Sequence, residues 1–230
     1  MRKTIFIAIL LISLYSSGQA QDKDFHFGFC IYPNYSIGMI TNDGSVSVDM
    51  QNYYEDIEIG KPSISGNIFV EYNFTNKFSS SIGIGYQNCG EKTKKQDLTY
   101  NTSDPLLGTH VRFVYNHHNL EIPLLFKYNI TNEIYVTAGT SAIFNIYNTS
   151  TSKMYFENKS TERNTNEDNS TSFRKINLSL NAGIGFIVLS KEKFSLFSQP
   201  AFQLGLLGIS KNAPLNRKMI STGLILGIKF

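Results

Sequence analysis

Residues 176–188 read INLSLNAGIGFIV, and every second residue of this stretch is apolar. The apolar positions are Ile176, Leu178, Leu180, Ala182, Ile184, Phe186 and Val188. Most of the residues between them are Asn, Ser or Gly. Because successive side chains of a β-strand point to opposite faces, this alternation predicts a strand with one apolar face and one small, polar face.

The same alternation recurs along the rest of the chain. The eight segments that carry it are 25–39, 64–74, 78–87, 119–128, 134–147, 176–188, 196–206 and 220–230. Short connections at 75–77, 131–132 and 190–193 alternate with long polar connections at 40–62, 92–112, 148–174 and 209–217. The pattern predicts an all-β, eight-stranded antiparallel up-and-down transmembrane β-barrel, with short periplasmic turns and long outer loops.

The two faces of the predicted strands differ in a way that indicates which one meets lipid. The apolar face is bulky and carries aromatic residues near strand ends, such as Tyr72, Phe74, Phe78 and Tyr128. The other face carries mostly Gly, Ser, Asn and Gln, whereas a face in water would be rich in Lys and Glu. Small neutral residues suit the crowded interior of a small barrel. We therefore expect the apolar face to point outward into lipid, and the alternative of a soluble barrel with an apolar lumen is disfavoured.

The first twenty residues have the features of a secretory signal peptide. Arg2 and Lys3 precede an apolar run from Ile5 to Leu14, and small residues occupy positions 18 and 20. The run is shorter than the roughly 20 residues that a transmembrane helix needs. We expect residues 1–20 to be removed and residues 21–230 to form one barrel domain in the outer membrane.

Composition excludes some classes of function. The formal net charge of +3 falls to about +1 once Arg2 and Lys3 are removed, so nucleic-acid binding is not expected. Mean hydropathy is −0.16, which does not argue against a barrel because half of each strand is polar. Cys30 and Cys89 fall at different heights on strands that are not expected to pair, and we expect two small buried residues rather than a disulfide.

Charged residues are rare on the predicted inner face. Glu71, Glu121, Lys127 and Lys229 are the inward charges, and we predict that they form a lumenal ion-pair network, since an unpaired buried charge is costly. The network could serve packing of the polar core or gating. Pro123 lacks a backbone donor and predicts a bulge or bend beside Glu121.

The chain offers weak candidates for catalysis or metal binding. Its histidines are His26, His110, His117 and His118. No spacing places any of them with a nucleophile such as Ser141 or Ser179 as a catalytic triad. His117 and His118 are adjacent on a strand and face opposite ways, so they cannot chelate one ion together. We expect no catalytic residue, no metal site and no cofactor.

One segment resembles a known family. Residues 119–128, NLEIPLLFKY, resemble the LEIPLLLKY motif of PorT-like outer-membrane β-barrel proteins. The glycine-rich stretches 82–86 and 182–186, and the terminal residues 223–230, are similar to that family as well. The resemblance implies an outer-membrane location and an eight-stranded barrel. It does not imply one activity, and the secretion role of the family's namesake is not carried over.

Three functions remain open at this point. The first is a small non-enzymatic barrel with a structural or surface-interaction role through loops 40–62 and 148–174. The alternatives are a narrow transport or protein-secretion-associated barrel and a lipid-modifying enzyme. The expected partners are outer-membrane lipids, an unidentified surface or periplasmic protein, and the outer-membrane insertion machinery, for which Phe230 serves as the assembly signal. We expect a monomer.

Overall fold

The computed structural model describes residues 25–99, 107–167 and 172–230, so the predicted signal peptide at 1–20 lies outside the described residues. Within this part, the chain forms eleven strands and one helix, labelled here in chain order. The elements are β1 (Phe25–Asn42), α1 (Val48–Ile57), β2 (Glu58–Asn73), β3 (Phe78–Cys89), β4 (Glu91–Thr93), β5 (Gln96–Asp97), β6 (His110–Asn129), β7 (Ile134–Tyr155), β8 (Thr161–Glu167), β9 (Ile176–Ser190), β10 (Ser195–Gly205) and β11 (Leu215–Lys229).

Eight of these strands pair into a closed antiparallel ring. Its order is β1, β2, β3, β6, β7, β9, β10 and β11. β11 then pairs with β1, from Gly28 opposite Lys229 to Asn42 opposite Leu215. These are the eight strands that the alternation predicts, so the expectation of an all-β ring of eight antiparallel strands is confirmed.

Tight turns join the ring strands at one end, called here the inner end. In the β2–β3 turn the hydroxyl of Thr75 accepts hydrogen bonds from the backbone N–H groups of Lys77 and Phe78. In the β6–β7 turn Thr131 does the same for Glu133 and Ile134. A threonine hydroxyl that bonds its own backbone two and three residues on stabilises such a turn.

The opposite, outer end is more ordered than the sequence predicts. β6 and β7 extend to His110 and Tyr155, and β8 pairs with β7 outside the ring, so part of the long polar connection over 148–174 forms a β-hairpin that the sequence does not predict. In the predicted loop 40–62 the helix α1 begins after Ser47, whose side chain accepts a hydrogen bond from Met50 N–H. The β7–β8 hairpin is mostly polar on both faces, so it lacks the alternation that marks the ring strands.

The ring has a polar interior and an apolar exterior. Among the described residues, twenty polar or charged residues are buried, against six apolar ones. The least exposed interior residues include four serines, Ser36, Ser79, Ser141 and Ser179. Large apolar side chains cover the outside, and Phe25, Ile68 and Phe126 are each about 60% exposed. The predicted apolar exterior and polar interior are confirmed.

Pro123 does not form the predicted bulge. The β6–β7 register passes through Pro123 opposite Ser141 without a shift, and the shift in that pairing lies at His118/Asn119. On the other side of β6, pairing with β3 is interrupted between Leu124 and Glu121, because proline has no N–H to donate.

In the described part of the chain, no helix has the length and hydropathy needed to cross a membrane.

Candidate functional site

Polar side chains cross the interior of the ring in three layers, which we name from the inner end outward. The inner ion cluster consists of Glu71, Lys127 and Lys229. The amide bridge consists of Gln87, Gln203 and Glu121. The outer ion cluster consists of Glu58, Glu91 and Arg217.

The inner ion cluster contains three of the four inward charges singled out from the sequence. Lys127 Nζ lies 2.5 Å and Lys229 Nζ 2.8 Å from the same oxygen, Oε1 of Glu71. The three side chains come from β6, β11 and β2 and are at most 17% exposed. Lys127 also lies 5.0 Å from the centroid of the Tyr135 ring. Two buried ammonium groups therefore depend on one carboxylate.

Glu121, the fourth of these residues, does not join the inner ion cluster. It precedes Lys127 by six positions on β6, which corresponds to about 20 Å along a strand. Its Oε1 instead accepts a hydrogen bond of 2.7 Å from Gln203 Nε2. Glu121 therefore belongs to the amide bridge and not to the inner ion cluster.

The amide bridge spans the full width of the ring. Gln87 Nε2 donates to Gln203 Oε1 at 2.7 Å, and β3 and β10 are opposite each other in the ring of eight. Gln203 Nε2 also donates to Ser179 Oγ at 3.1 Å, and Asn119 Nδ2 donates to Gln87 Oε1 at 2.9 Å. Direct contact between side chains of opposite strands closes the lumen at this level.

The outer ion cluster is not apparent from the sequence. The Arg217 guanidinium makes a two-pronged ion pair with Glu58, with Nε 2.8 Å from Oε2 and Nη2 bonded to Oε1. Glu91 Oε1 lies 3.7 Å from Arg217 Nε. Glu58 and Glu91 are almost fully buried, at 7% and 3% exposure. Their positions lie in segments without alternation, so no sequence signal marks them as inward-facing.

Glu91 lies in β4, beyond the apolar exterior band. Burial raises the pKa of its carboxyl group to about 7, although the positive charge of Arg217 opposes the shift. Its Oε2 atom is buried without a hydrogen-bond partner. Glu91 is thus a buried acid whose charge is only partly compensated.

His117 and His118 face opposite sides of the wall, as the alternation predicts. His117 Nδ1 lies 2.8 Å from Asn148 Oδ1 inside the ring. On the outside, His118 Nδ1 lies 2.5 Å from the Tyr86 hydroxyl, and its ring stacks on Tyr147 with centroids 4.1 Å apart. His118 is therefore part of an exterior aromatic cluster at the outer edge of the apolar band.

Cys89 and His117 are cross-strand neighbours inside the ring, which is a pairing that can support nucleophilic catalysis. Both side chains line a cavity of only about 40 Å³, which has room for water but not for a substrate. Cys30 and Cys89 are both buried with free thiols. Within the described ranges, no three His, Cys, Asp or Glu side chains are grouped as metal ligands.

A comparison with protein families gives a match over most of the chain. The family model described as "Outer membrane protein beta-barrel domain" matches residues 19–207. A search of curated proteins gives no match.

Several solved structures are similar at low identity. The attachment invasion locus protein Ail of Yersinia pestis is 12% identical, with a TM-score of 0.39 over 90% of this chain and 99% of that one. Neisserial surface protein A (NspA) is 10% identical, with a TM-score of 0.40 over 89% and 95%. The translocator domain of the autotransporter NalP from Neisseria meningitidis is 9% identical, with a TM-score of 0.35 over 99% and 95%.

Proposed function

Because the chain belongs to the outer membrane protein beta-barrel domain family, we propose that it is a non-enzymatic outer-membrane barrel that acts at the cell surface through its outer end. The observation that carries the proposal is the amide bridge. A lumen crossed by direct contact between Gln87 and Gln203 offers no wide path for a solute. The remaining places for interaction are the exterior and the two ends.

The dimensions of the exterior support a membrane-spanning ring. From Tyr128 to His118, β6 advances about 33 Å at 3.3 Å per residue, or about 25 Å along the membrane normal for a strand tilted by 40°. Phe78 packs against Tyr128 at the inner edge of this span, and Tyr86 contacts His118 at its outer edge. Aromatic residues at both edges of an apolar band about 25 Å tall are typical of transmembrane barrels.

The outer end is the larger of the two potential contact surfaces. It carries α1 and the β7–β8 hairpin, whereas the inner end has short turns. Short turns face the periplasm in such barrels, so we place the outer end in the extracellular space of a Gram-negative cell.

The proposal also includes export by the signal peptide and a monomeric state. It further includes membership of the PorT-like family, which is based on the motif at residues 119–128. A protein-secretion role would instead require contacts at the inner end.

Crosslinking in intact cells tests this proposal. A photoreactive residue replaces Asn158 in the β7–β8 turn or, as the matched control, Asn76 in the β2–β3 turn. We expect adducts with cell-surface molecules at position 158 and none at position 76. Protein adducts confined to position 76 would favour the secretion-associated role, and absence of adducts at both positions would contradict a surface-interaction role.

Assembly supplies a second partner in the proposal. Phe230 lies on the exterior, with its N–H bonded to Phe27 O at 2.7 Å and its ring 6.4 Å from that of Phe29. We expect deletion of Phe230 to lower the amount of assembled protein in the membrane. This decrease should be larger than the loss of stability of the refolded barrel accounts for. Unchanged membrane levels would contradict recognition of this residue by the insertion machinery.

A further inference from the structure

A row of positive charges crosses the outer extension of the sheet. Arg112 on β6 pairs with Lys153 on β7, and Lys153 pairs with Arg163 on β8. Lys92 on β4 lies opposite Val114 of β6. Val114 is two residues from Arg112 on the same strand, so Lys92 and Arg112 share a face of the sheet. Arg112, Lys153, Arg163 and Lys92 are called here the basic row.

The basic row faces a groove on the exterior. The four cations line an open groove of about 270 Å³, with Val114 and Thr151 among its other lining residues. Lys61 also lines this groove, and its Nζ is held by Ser63 Oγ at 2.7 Å and Asn88 Oδ1 at 3.1 Å. Alternation along β6 places Arg112 on the same face as His118, so the groove opens away from the barrel axis.

Within the described ranges, the positive charge of the row is not compensated by acidic side chains. In the part of the chain that the structure describes, no acidic side chain lies within ion-pair distance of the four cations. The nearest acids on this face, by strand register, are Asp97, which pairs with His110 at 3.0 Å, and Glu167, four positions from Arg163 on β8. Like charges directly opposite each other on neighbouring strands destabilise a sheet. The basic row therefore lowers the stability of the protein when no anion is bound.

Arg112 also has a hydrogen-bond donor that the protein leaves unsatisfied. Its Nε atom is buried and has no hydrogen-bond partner. A buried donor without an acceptor costs free energy, and a guanidinium donates well to phosphate oxygens. The groove thus holds a desolvated guanidinium donor beside the three other positive charges of the row, which is the chemistry of a phosphate site.

The height of the groove decides which phosphate reaches it. Arg112 lies six residues beyond His118 on β6, about 15 Å beyond the apolar band, and Lys92 lies about 10 Å beyond it. The headgroup layer of a bilayer is only about 5–8 Å thick on each side. The phosphate of an ordinary phospholipid therefore lies below the basic row, whereas phosphates on a larger saccharide headgroup lie level with it.

We propose that the basic row binds the phosphorylated saccharide headgroup of a glycolipid of the lipopolysaccharide class in the outer leaflet. The inference rests on the proposed function in one respect, since it requires the outer end to face the cell exterior. The lipid would dock against the wall of the barrel with its acyl chains along the apolar band. Its phosphates would neutralise the row and accept a hydrogen bond from Arg112 Nε.

Binding measurements on the folded, detergent-solubilised full barrel test the inference. The probes are purified lipopolysaccharide, the same lipid after enzymatic removal of phosphate, phosphatidylglycerol and inorganic phosphate. Arg112→Gln/Lys153→Gln removes two charges from the row, and Lys191→Gln/Lys193→Gln removes two from the inner β9–β10 turn as the matched control. We expect the first variant to bind lipopolysaccharide at least about tenfold more weakly and the second to bind like wild type. Removal of the lipid phosphates should weaken binding to wild type to a similar extent.

Thermal unfolding provides a readout that a folding defect would not reproduce. Without lipid, Arg112→Gln/Lys153→Gln should raise the apparent Tm because it relieves repulsion between neighbouring cations. With lipopolysaccharide, wild type should gain more than this variant. Equal binding by the two double variants, or equal binding of the dephosphorylated lipid, would overturn the inference. Equal affinity for phosphatidylglycerol or free phosphate would overturn its assignment to a large headgroup.

These outcomes separate the inference from the proposed function. If the two double variants bind lipopolysaccharide equally and crosslinks are still found at position 158, the basic row is not a lipid site and the surface role stands. Crosslinks at position 76 alone would refute the surface role, whatever the binding measurements in detergent give.

Discussion

In the described part of the chain, Glu71 is the only carboxylate that forms ion pairs with Lys127 and Lys229, so its removal has an unusual cost. Glu71→Gln would leave Lys127 and Lys229 facing each other inside the ring without a carboxylate. We expect a loss of about 3–5 kcal/mol in the free energy of unfolding, as for other broken buried ion pairs. Urea unfolding of the barrel refolded into vesicles measures it.

The control for this prediction is Glu121, the carboxyl residue of the amide bridge. Glu121→Gln removes a charge that has no lysine partner, and its amide oxygen can still accept from Gln203, so we expect a much smaller loss. Replacing the whole inner ion cluster by Leu and Met should recover stability. Equal losses for the two Gln variants would show that charge pairing does not govern this layer.

Glu91 gives the molecule a specific pH dependence. Its folded pKa of about 7 is above the usual value for Glu, so between pH 4.5 and pH 7 the folded state holds a proton that the unfolded state releases. Stability from this group is therefore greatest at or below pH 4.5 and falls as pH rises through 7. The shift corresponds to about 3 kcal/mol.

Comparison of wild type with Glu91→Gln isolates this effect. The variant should gain stability relative to wild type on going from pH 4.5 to pH 8, as measured from unfolding midpoints at the two values. Glu157→Gln in the exposed β7–β8 turn serves as the matched control for the change from a carboxyl to an amide group. A constant difference between wild type and Glu91→Gln across the range would contradict the raised pKa.

At the scale of elements, β8 is attached to the ring without being part of it. It pairs with β7 alone, and all seven of its residues are exposed. Replacing residues 154–170 by a short Asn-Gly turn should therefore change the free energy of unfolding by less than about 1 kcal/mol. Migration of the unheated protein on gels should still shift on boiling.

A deletion inside the ring makes the contrast. Removing Ile184 and Gly185 from β9 keeps the alternation but changes the register against both β7 and β10. This variant should lose the heat-dependent shift. A hairpin replacement that abolished the shift as well would show that β8 is needed for the ring.

The elements also show how far the sequence can lead. The eight ring strands were predictable because one face had to be apolar and the other small, as in Ile176–Ser190. The separation of Glu121 from Lys127 follows from their spacing on one strand. The pairing of Glu58 with Arg217 does not, because it joins residues 159 positions apart in segments without alternation. The sequence does not predict the helix α1 either, because its residues carry no strong apolar stripe.

At the scale of the whole molecule, three polar layers fill the space that a pore would occupy. The cavities between them are small, about 40, 50 and 70 Å³ for three that the lumen contains. We expect the reconstituted protein to show no conductance steps above baseline in planar bilayers. Glu121→Ala should remain at baseline as well, since Gln87 still contacts Gln203.

A porin reconstituted under the same conditions confirms that channels would be detected. Steps of porin size in the wild type would contradict a closed lumen and revive the transport alternative. Steps that appear only in Glu121→Ala would indicate that this carboxylate gates a narrow path.

The pairing of β1 with β11 determines when the molecule can form. Gly28 lies opposite Lys229, so the ring can close only when the first described strand, β1, pairs with the last one, β11. Such contacts between distant parts of a chain make folding slow, because a large loop must be ordered first. Until that moment the edges of β1 and β11 are open to pairing with other chains. The polypeptide must therefore be kept apart from its copies during transit, and its final step is a concerted closure that no shorter part of the chain can complete.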